Sequence, residues 1–300
     1  MTRPSAKMWA LWALGGVLVA AALACNAAGL RSDEGTQATV AAVYATITAQ
    51  AMTASPDDPD AIATATVEPG SEDDEEGGLT PAAPNARPGN GQALSVPRCT
   101  GSITIDGLLG DATSTTSVTL ADNTFGRGQW TGVGDLSGEA QLCWTDTALY
   151  VAVDVTDDVR VQTQEGSTMW RGDEVELFLD GDLRGDFYSN IPSSDDVQLG
   201  LSPGNFENLS PSAVQYRPDV RSADVTIAAQ RTDSGYTLEA AVPWSLLRVQ
   251  PAAGQVYGFC LALSDNDQVG QASQDSMVSH CPNLITNDPT TWSTIELLGG

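Results

Sequence analysis

Apolar and polar residues alternate with a period of two along much of the chain after residue 95. In the segment Leu149–Val155 every second residue is a large aliphatic one, which places these side chains on one face and predicts a half-buried β-strand. No helical period of three turns follows residue 95. Short apolar runs bounded by Gly, Asp, Asn or Pro predict eight more strands: Ser102–Ile105, Glu139–Trp144, Glu174–Asp180, Val197–Leu201, Asp224–Ala229, Tyr236–Val242, Gly258–Ser264 and Trp292–Leu298. Residues 95–300 are therefore predicted to form one all-β domain, an antiparallel β-sandwich of the jelly-roll type.

The stretch 26–94 has a different texture, because it consists mainly of Ala, Thr, Pro, Gly and acidic residues, including the run Glu72–Glu76. So few large apolar side chains cannot bury enough surface to offset the entropy of ordering the chain. We therefore predict a disordered, acidic, Ala/Thr/Pro-rich linker. Within it, apolar residues of Thr39–Met52 recur at helical spacing, which fits either a short amphipathic helix or a biased Ala/Thr tract.

Residues 1–25 follow the order of a secretory signal peptide: basic Arg3 and Lys7, an apolar run over Met8–Leu23, and small residues just before Cys25. The ending resembles the lipobox of bacterial lipoproteins. That resemblance implies that Cys25 becomes the lipid-modified first residue of a secreted protein, anchored to the outer face of the cell membrane. Two alternatives stay open, a plain signal peptide cut near Cys25 and an uncleaved membrane span, for which the apolar run is short.

Export would bring the remaining cysteines into an oxidising space, where thiols pair. Cys99, Cys143, Cys260 and Cys281 are therefore predicted to form two disulfides, with three pairings open in principle. Cys260 and Cys281 flank a segment that reads as a long hairpin, which favours joining these two and joining Cys99 to Cys143. The absence of CxxC spacing in the sequence, together with a single histidine, argues against a zinc site.

The formal net charge is −26, from 39 acidic and 13 basic residues. Nucleic acid is therefore a poor partner, because binding to phosphates needs clustered Lys and Arg. An anionic membrane surface is equally unfavourable, so the lipid rather than charge would hold the protein there. A neutral ligand, a cation or a basic partner fits this charge.

One enzyme signature occurs in the sequence. The segment Gly200–Gly204 matches the GxSxG pattern of serine hydrolases, for which His280 would be the candidate general base. That pattern requires a strand followed by a helix, and the amide after the serine helps to form the oxyanion hole. Pro203 has no N–H to donate, and no helix is predicted after it. The sequence also contains no cofactor fingerprint, so we expect a protein that is not an enzyme.

Three acidic segments are candidates for binding a hard cation. Asp180–Asp186 begins like a calcium loop, but Arg184 and Ile191 stand where an EF-hand loop needs oxygen ligands, so it reads as a solvated turn. Asp157 and Asp158, directly after a predicted strand, and the segment Asp265–Asp267 are alternative sites. Together they favour one structural calcium ion, with Asp157 and Asp158 as its candidate ligands.

A series of motifs along the folded segment is similar to a known family. Its segments, in chain order, are Ile103–Gly107, Leu142–Asp157, Trp170–Asp180, Gly235–Trp244, Gly254–Asp267 and Asp288–Leu297. In this order the motifs resemble family 9 carbohydrate-binding modules. The resemblance implies a β-sandwich with bound calcium that holds the ends of sugar chains, often joined to xylanases or other glycosidases, and thus a part in carbohydrate breakdown.

The resemblance also implies binding residues. Trp170 matches the family's stacking tryptophan, and Glu176 matches a glutamate of the same motif; the structural alternatives are an aromatic that covers the loop and an outward-facing strand acid. Stacking on the apolar side of a pyranose, beside amides or carboxylates that bind its hydroxyls, is how such sites hold sugar.

The sequence departs from the family pattern at several positions. The second stacking tryptophan is missing, because His280 is the only ring within Ser276–Pro289, and Gly200 stands where the family has a basic residue. Trp130, in a Gly-rich loop, is a candidate replacement aromatic, and His280 a candidate ligand contact; both have packing inside the domain as the alternative. We therefore predict weak carbohydrate binding, with a structural or adhesion module that lost its sugar site, or a haem-binding module, as alternatives.

Overall fold

A computed structural model of the chain describes residues 86, 87 and 90–299. The predicted signal peptide, Cys25 and the Thr39–Met52 segment lie outside the described residues. Within the described part, no helix has the length and apolar character needed to cross a membrane. Two short 3₁₀ helices, Gly166–Arg171 and Pro289–Thr291, interrupt a structure made otherwise of strands and loops.

Fourteen strands form two sheets that pack as a sandwich. The larger sheet contains β1 (Leu94–Val96), β3 (Asp122–Phe125), β6 (Glu174–Asp180), β7 (Asp196–Ser202), β8 (Ser212–Arg217), β9 (Arg221–Ser222), β12 (Val256–Asp265), β13 (Ser276–Ser279) and β14 (Ser293–Leu297). The smaller sheet contains β2 (Thr116–Leu120), β4 (Leu136–Trp144), β5 (Ala148–Asp157), β10 (Thr226–Arg231) and β11 (Gly235–Pro243). The strand orders are β1-β14-β12-β6-β7-β8-β9, with β13 and β3 attached through β12, and β10-β11-β5-β4-β2. All pairs are antiparallel except β1 with β14, as predicted for a sandwich of this type.

The core lies between the sheets because alternate residues of each strand face inward. Val151 and Val153 of β5 meet Leu177 of β6 and Leu261 of β12 in one buried cluster. The opposite face of the larger sheet therefore presents the other residues of β6, among them Glu174 and Glu176. This outward face, and not the core, provides the floor of the candidate site.

All predicted strands but one are confirmed as strands, and the exception is Ser102–Ile105. That segment is irregular, and Ile103 and Ile105 pack on the outer face of the smaller sheet beside Tyr150. Its apolar alternation thus reflects packing on a sheet rather than pairing within one. Several short strands were not predicted, because β3, β8 and β13 are short and rich in polar residues.

Two disulfides join Cys99 to Cys143 and Cys260 to Cys281, which is the pairing favoured from the sequence. Cys99–Cys143 fixes the segment before β2 to the outer face of the smaller sheet. Cys260–Cys281 joins β12 to the loop after β13, in a second apolar cluster that also contains Trp292.

Residues that precede position 95 also contact the sandwich. Arg87 is buried, and its guanidinium lies 2.9 Å from Asp180 at the end of β6 and donates to the carbonyl of Pro289 at 2.8 Å. The Asn90 amide donates to the carbonyl of Trp292 at 3.0 Å. Residues that the sequence assigns to the linker are therefore part of the folded unit.

Candidate functional site

A cleft of about 300 Å³ opens on the outer face of the larger sheet. It lies beside the 3₁₀ helix that precedes β6, over β6, β7 and β8. The residues that line it are Trp170, Glu176, Gln198, Tyr216, Arg217, Gln274, Met277 and Thr286. One wall is aromatic, the floor is polar, and one guanidinium reaches it.

Trp170 provides the aromatic wall and is half-buried. It lies in the 3₁₀ helix Gly166–Arg171, which is held by the end of β12: the hydroxyl of Ser264 donates to the Trp170 carbonyl at 3.0 Å. The guanidinium of Arg171 lies 5.0 Å from the centre of the indole ring. Trp170 therefore contributes a fixed aromatic surface to the cleft.

Two glutamates of β6 have side chains that face outward from the sandwich core: Glu176 lines the floor of the cleft, and Glu174 is buried next to Tyr216. Glu176 accepts a hydrogen bond from the Gln198 amide at 2.7 Å, and Glu174 accepts one from the Tyr216 hydroxyl at 3.0 Å. Burial raises the pKa of Glu176 to about 7, and burial together with the neighbouring Glu176 charge raises the pKa of Glu174 well above its ordinary value. These raised pKa values favour the protonated forms of the pair relative to exposed glutamates.

Tyr216 and Arg217 reach the cleft together because of a β-bulge. In the register of β7 with β8, Gln198 is opposite Arg217 and Leu199 is opposite Gln215, so Tyr216 is the extra residue. Its ring passes over Gly200, where a Cβ atom would come within 2.7 Å of Tyr216 Cε2. The glycine thus admits the tyrosine as a second ring of the cleft.

Trp130 and His280, the other two candidates for ligand contact, do not line this cleft, and both are packed within the domain, which was the alternative for each. Trp130 packs against the main core, and its indole N–H donates to the carbonyl of Leu136 at 3.0 Å. His280 is buried, accepts a hydrogen bond from the Leu261 amide at 3.1 Å, and does not line the cleft. Burial lowers the pKa of His280 to about 4, so it is neutral at physiological pH.

Sequence reasoning missed Gln198, Tyr216 and Arg217. The alternation in Asp196–Ser202 could have indicated Gln198, because it shares a face with Asp196 and Ser202. A bulge has no comparable sequence signal, so the placement of Tyr216 and Arg217 was beyond prediction.

A slightly larger depression, of about 380 Å³, lies between the turn after β6 and the start of β12. The only ring that lines it belongs to Tyr257, which is 4 % exposed and donates its hydroxyl to the Gln250 carbonyl. Because this depression offers no aromatic face, the cleft beside Trp170 is the better candidate for ligand binding.

A cluster of buried carboxylates lies at one end of the sandwich, where Asp135, Asp265 and Asp267 bring oxygen atoms within 4.8 Å of one another. Asp157 interacts electrostatically with Asp265 and Asp267. Oxygens of Asp157, Asp265 and Asp267 are buried without a hydrogen-bond partner. Asp157 and the segment Asp265–Asp267, which the sequence offered as alternative cation sites, therefore lie close together. Asp158, by contrast, is exposed.

This cluster fits a hard cation such as calcium, which prefers several carboxylate oxygens. Burial raises the pKa values of Asp157 to about 6, Asp265 to about 7 and Asp267 to about 6. A second cluster, formed by Asp180, Asp186 and Asp195, is different because the Arg87 guanidinium lies beside it and supplies positive charge. The first cluster is the better candidate for a metal.

An aromatic wall over a polar floor, on the outer face of a β-sandwich, is the arrangement of a small-molecule binding module. A profile of the family described as carbohydrate family 9 binding domain-like matches residues 105–300. The chain belongs to this family, as its motifs predicted.

Several relatives are enzymes that contain a matching part. Endo-1,4-beta-xylanase A of Thermotoga neapolitana is 24 % identical over 162 residues, which cover 54 % of this chain and 14 % of the enzyme. Exoglucanase XynX of Acetivibrio thermocellus is 29 % identical over 132 residues, which cover 44 % of this chain and 11 % of the enzyme. The match thus spans only a small part of the length of these relatives.

A solved structure has the same fold. It is a family 9 carbohydrate-binding module of Caldicellulosiruptor kristjanssonii in complex with cellotriose, which superposes with a TM-score of 0.51 at 21 % identity. The alignment covers 70 % of this chain and 95 % of that module. It confirms the predicted β-sandwich.

Proposed function

We propose that this protein is a secreted lipoprotein that binds carbohydrate in the cleft beside Trp170 and does not itself cleave it. The observation that supports the proposal is the half-exposed Trp170 ring beside the hydrogen-bonding groups of Glu176 and Gln198. An aromatic face binds the C–H side of a pyranose, and the amide and carboxyl bind its hydroxyls. The family membership and the cellotriose complex of a related module support the same class of ligand.

The dimensions of the cleft favour a short ligand. Its volume, about 300 Å³, is at the low end of ligand sites, which favours the end of a sugar chain over a long internal segment. The wall formed by Gln274, Met277 and Thr286 has no ring, so a sugar is stacked from one side. We therefore expect a dissociation constant nearer millimolar than micromolar, or about 4 rather than 8 kcal/mol.

Replacement of Trp170 by alanine tests the proposal. If Trp170 stacks on sugar, Trp170→Ala should weaken binding by about 1 to 3 kcal/mol and leave the melting temperature nearly unchanged. Binding is measured by a glycan array, followed by titration with the best ligand. Tyr188→Ala is the matched control, because Tyr188 is a ring that is 79 % exposed and does not line the cleft.

The opposite result would favour the structural or adhesion module. In that case the wild-type protein binds no soluble or insoluble glycan, and Trp170→Ala lowers the melting temperature, since deletion of a structural tryptophan costs about 3 to 5 kcal/mol. The absence of a second stacking tryptophan is the observation behind this alternative.

The lipid anchor is the part of the proposal that concerns localisation. With Cys25 as the lipidated first residue, the protein would sit at the outer face of the cell membrane, with the acidic linker between membrane and sandwich. Mass spectrometry of the N-terminal peptide should find a diacylglyceryl group on Cys25, and Cys25→Ala should remove the protein from the membrane fraction. An unmodified Cys25, or an intact signal segment, would contradict the anchor.

We further propose that Asp135, Asp157, Asp265 and Asp267 hold one structural calcium ion. The ion would neutralise carboxylates whose buried oxygens have no other partner. It would also stiffen the loop after β12, whose Asn266 donates to the carbonyl of Arg171, next to Trp170. In this proposal calcium stabilises the aromatic wall without touching the sugar.

A further inference from the structure

Arg217 is a half-buried arginine of the cleft that has no carboxylate as a direct partner in the described part of the chain. Its guanidinium donates one hydrogen bond, to the carbonyl of Thr286, at 2.9 Å. Among residues 86, 87 and 90–299, no carboxylate lies within 4.0 Å of it, whereas Arg87 and Arg248 each have an acidic partner. In a chain with 39 acidic residues, this guanidinium faces the cleft with donors to spare.

We propose that the cleft selects sugars that bear a carboxylate, the hexuronic acids, and that Arg217 is the residue that binds this carboxylate. The proposal rests on the proposed carbohydrate-binding function and names the class of sugar. A guanidinium is a planar fork of donors that matches the two oxygens of a carboxylate. A neutral hydroxymethyl group at the same position of the ring offers only one oxygen and no charge.

The bulge in β8 is the structural reason that Arg217 reaches the ligand. Regular alternation would send Tyr216 and Arg217 to opposite faces of the sheet. The extra residue turns both toward the cleft, and the Tyr216 hydroxyl is held by the carboxyl of Glu174. Arg217 thus emerges from a fixed stretch of backbone at the edge of the polar floor.

Several titratable groups surround Arg217. Burial lowers the pKa of Arg217, and the nearby charges of Asp196 and Glu176 raise it. Burial raises the pKa of Glu176 to about 7, that of Asp196 to about 6 and that of Glu174 well above its ordinary value, which favours the uncharged forms of these acids. Tyr216 is the other titratable group that lines this part of the cleft. The acidic groups near Arg217 therefore repel a bound carboxylate less than exposed, fully ionised acids would.

Matched pairs of sugars test the selection on the full-length mature protein. Glucuronate, galacturonate and mannuronate are compared with glucose, galactose and mannose by titration calorimetry or ligand-observed NMR at pH 7. In at least one pair the acid should bind about tenfold more tightly, or better, because hydrogen bonds to charged groups are the stronger ones. Arg217→Met should remove that preference, so the ratio of the acid's affinity to that of its neutral partner should fall to about one.

Two further variants complete the design. Arg217→Lys keeps the charge but not the fork, so it should retain only part of the preference, and it serves if the methionine variant does not fold. Arg231→Met removes the same charge from an exposed position on β10, in the other sheet, and should leave the preference intact.

The outcomes separate this inference from the proposed function. Binding of neutral and acidic partners with equal affinity, or a preference that survives in Arg217→Met, would overturn the role of Arg217 and leave carbohydrate binding in place. Failure of every sugar and glycan to bind the wild-type protein would overturn both. An acid preference that is lost with Arg217 and kept in Arg231→Met would support the inference.

Discussion

Replacing Arg87 by methionine is expected to destabilise the domain by about 3 to 5 kcal/mol, although residue 87 lies in the stretch that the sequence assigns to a disordered linker. The side chains of Arg87 and Asp180 are 4 % and 0 % exposed, and the two form an ion pair at 2.9 Å. Removing only the cation leaves a buried carboxylate without its counter-charge. For a domain of this size, the loss corresponds to a fall in melting temperature of roughly 10 °C.

The deficit of Arg87→Met should depend on pH. Even with Arg87 present, burial raises the pKa of Asp180 to about 7, above its ordinary value of 3.8. The folded state then binds a proton more tightly than the unfolded state, so this group's contribution to stability falls as pH rises from about 4 to 7. Without the arginine, the folded pKa rises further and the fall continues above pH 7. Denaturant unfolding should show a larger deficit at pH 8 than at pH 5.

Two comparisons make the Arg87 result specific. Arg248→Met removes an exposed ion pair with Asp219 and should cost at most about 1 kcal/mol. Adding Asp180→Asn to Arg87→Met should recover part of the stability, since the buried charge is then gone. A melting temperature within 1 to 2 °C of wild type for Arg87→Met, on the order of experimental error, would show that the acids of this cluster are neutralised by other means.

The fold could be predicted because strands such as β5 and β12 bury one face, and this leaves a period of two in the sequence. The segment Ser102–Ile105 shows where the rule fails, since residues that pack on the outside of a sheet produce the same pattern. The role of Arg87 could not be predicted, because its partner lies 93 residues away and only the fold brings them together.

The candidate site was only partly predictable. Trp170 and Glu176 were indicated by a family motif, and the structure brings both to the cleft. The positions of Tyr216 and Arg217 depend on a β-bulge, which leaves no pattern in the local sequence. The position of Asp135 in the carboxylate cluster depends on the approach of the start of β4 to the loop after β12, which leaves no local pattern either. Trp130 and His280 were candidates because they carry rings, but Trp130 packs against the core and His280 is buried.

Calcium is expected to raise the melting temperature of the protein at pH 7.5, relative to the same protein in EDTA. A ligand that binds only the folded state at one hundred times its dissociation constant stabilises it by about 2.7 kcal/mol. That corresponds to roughly 5 to 10 °C for a domain of this size. The physical reason is the set of buried carboxylate oxygens of Asp157, Asp265 and Asp267, which have no hydrogen-bond partner.

The calcium effect should shrink as pH falls. In the metal-free protein the pKa values of Asp157 and Asp267 are about 6 and that of Asp265 is about 7, all above the ordinary 3.8. These groups therefore favour folding most at low pH and lose that contribution as pH rises toward 7. At pH 5 protons occupy the oxygens that calcium needs, so the two compete. Calcium should therefore add much more stability at pH 7.5 than at pH 5, and flatten the decline of stability with pH.

Two substitutions of equal charge identify the ligands. Asp265→Asn should abolish most of the calcium response, because it removes a buried oxygen of the cluster, whereas Asp158→Asn should retain it, since Asp158 is exposed. A calcium response that is lost in Asp158→Asn and kept in Asp265→Asn would instead favour the adjacent pair Asp157 and Asp158 as the ligands. The end of β12, which contains Asp265, also holds the carbonyl of Trp170 through Ser264, so removal of calcium should weaken sugar binding as well. A protein whose melting temperature and sugar affinity are the same in calcium and in EDTA would leave these carboxylates without a metal.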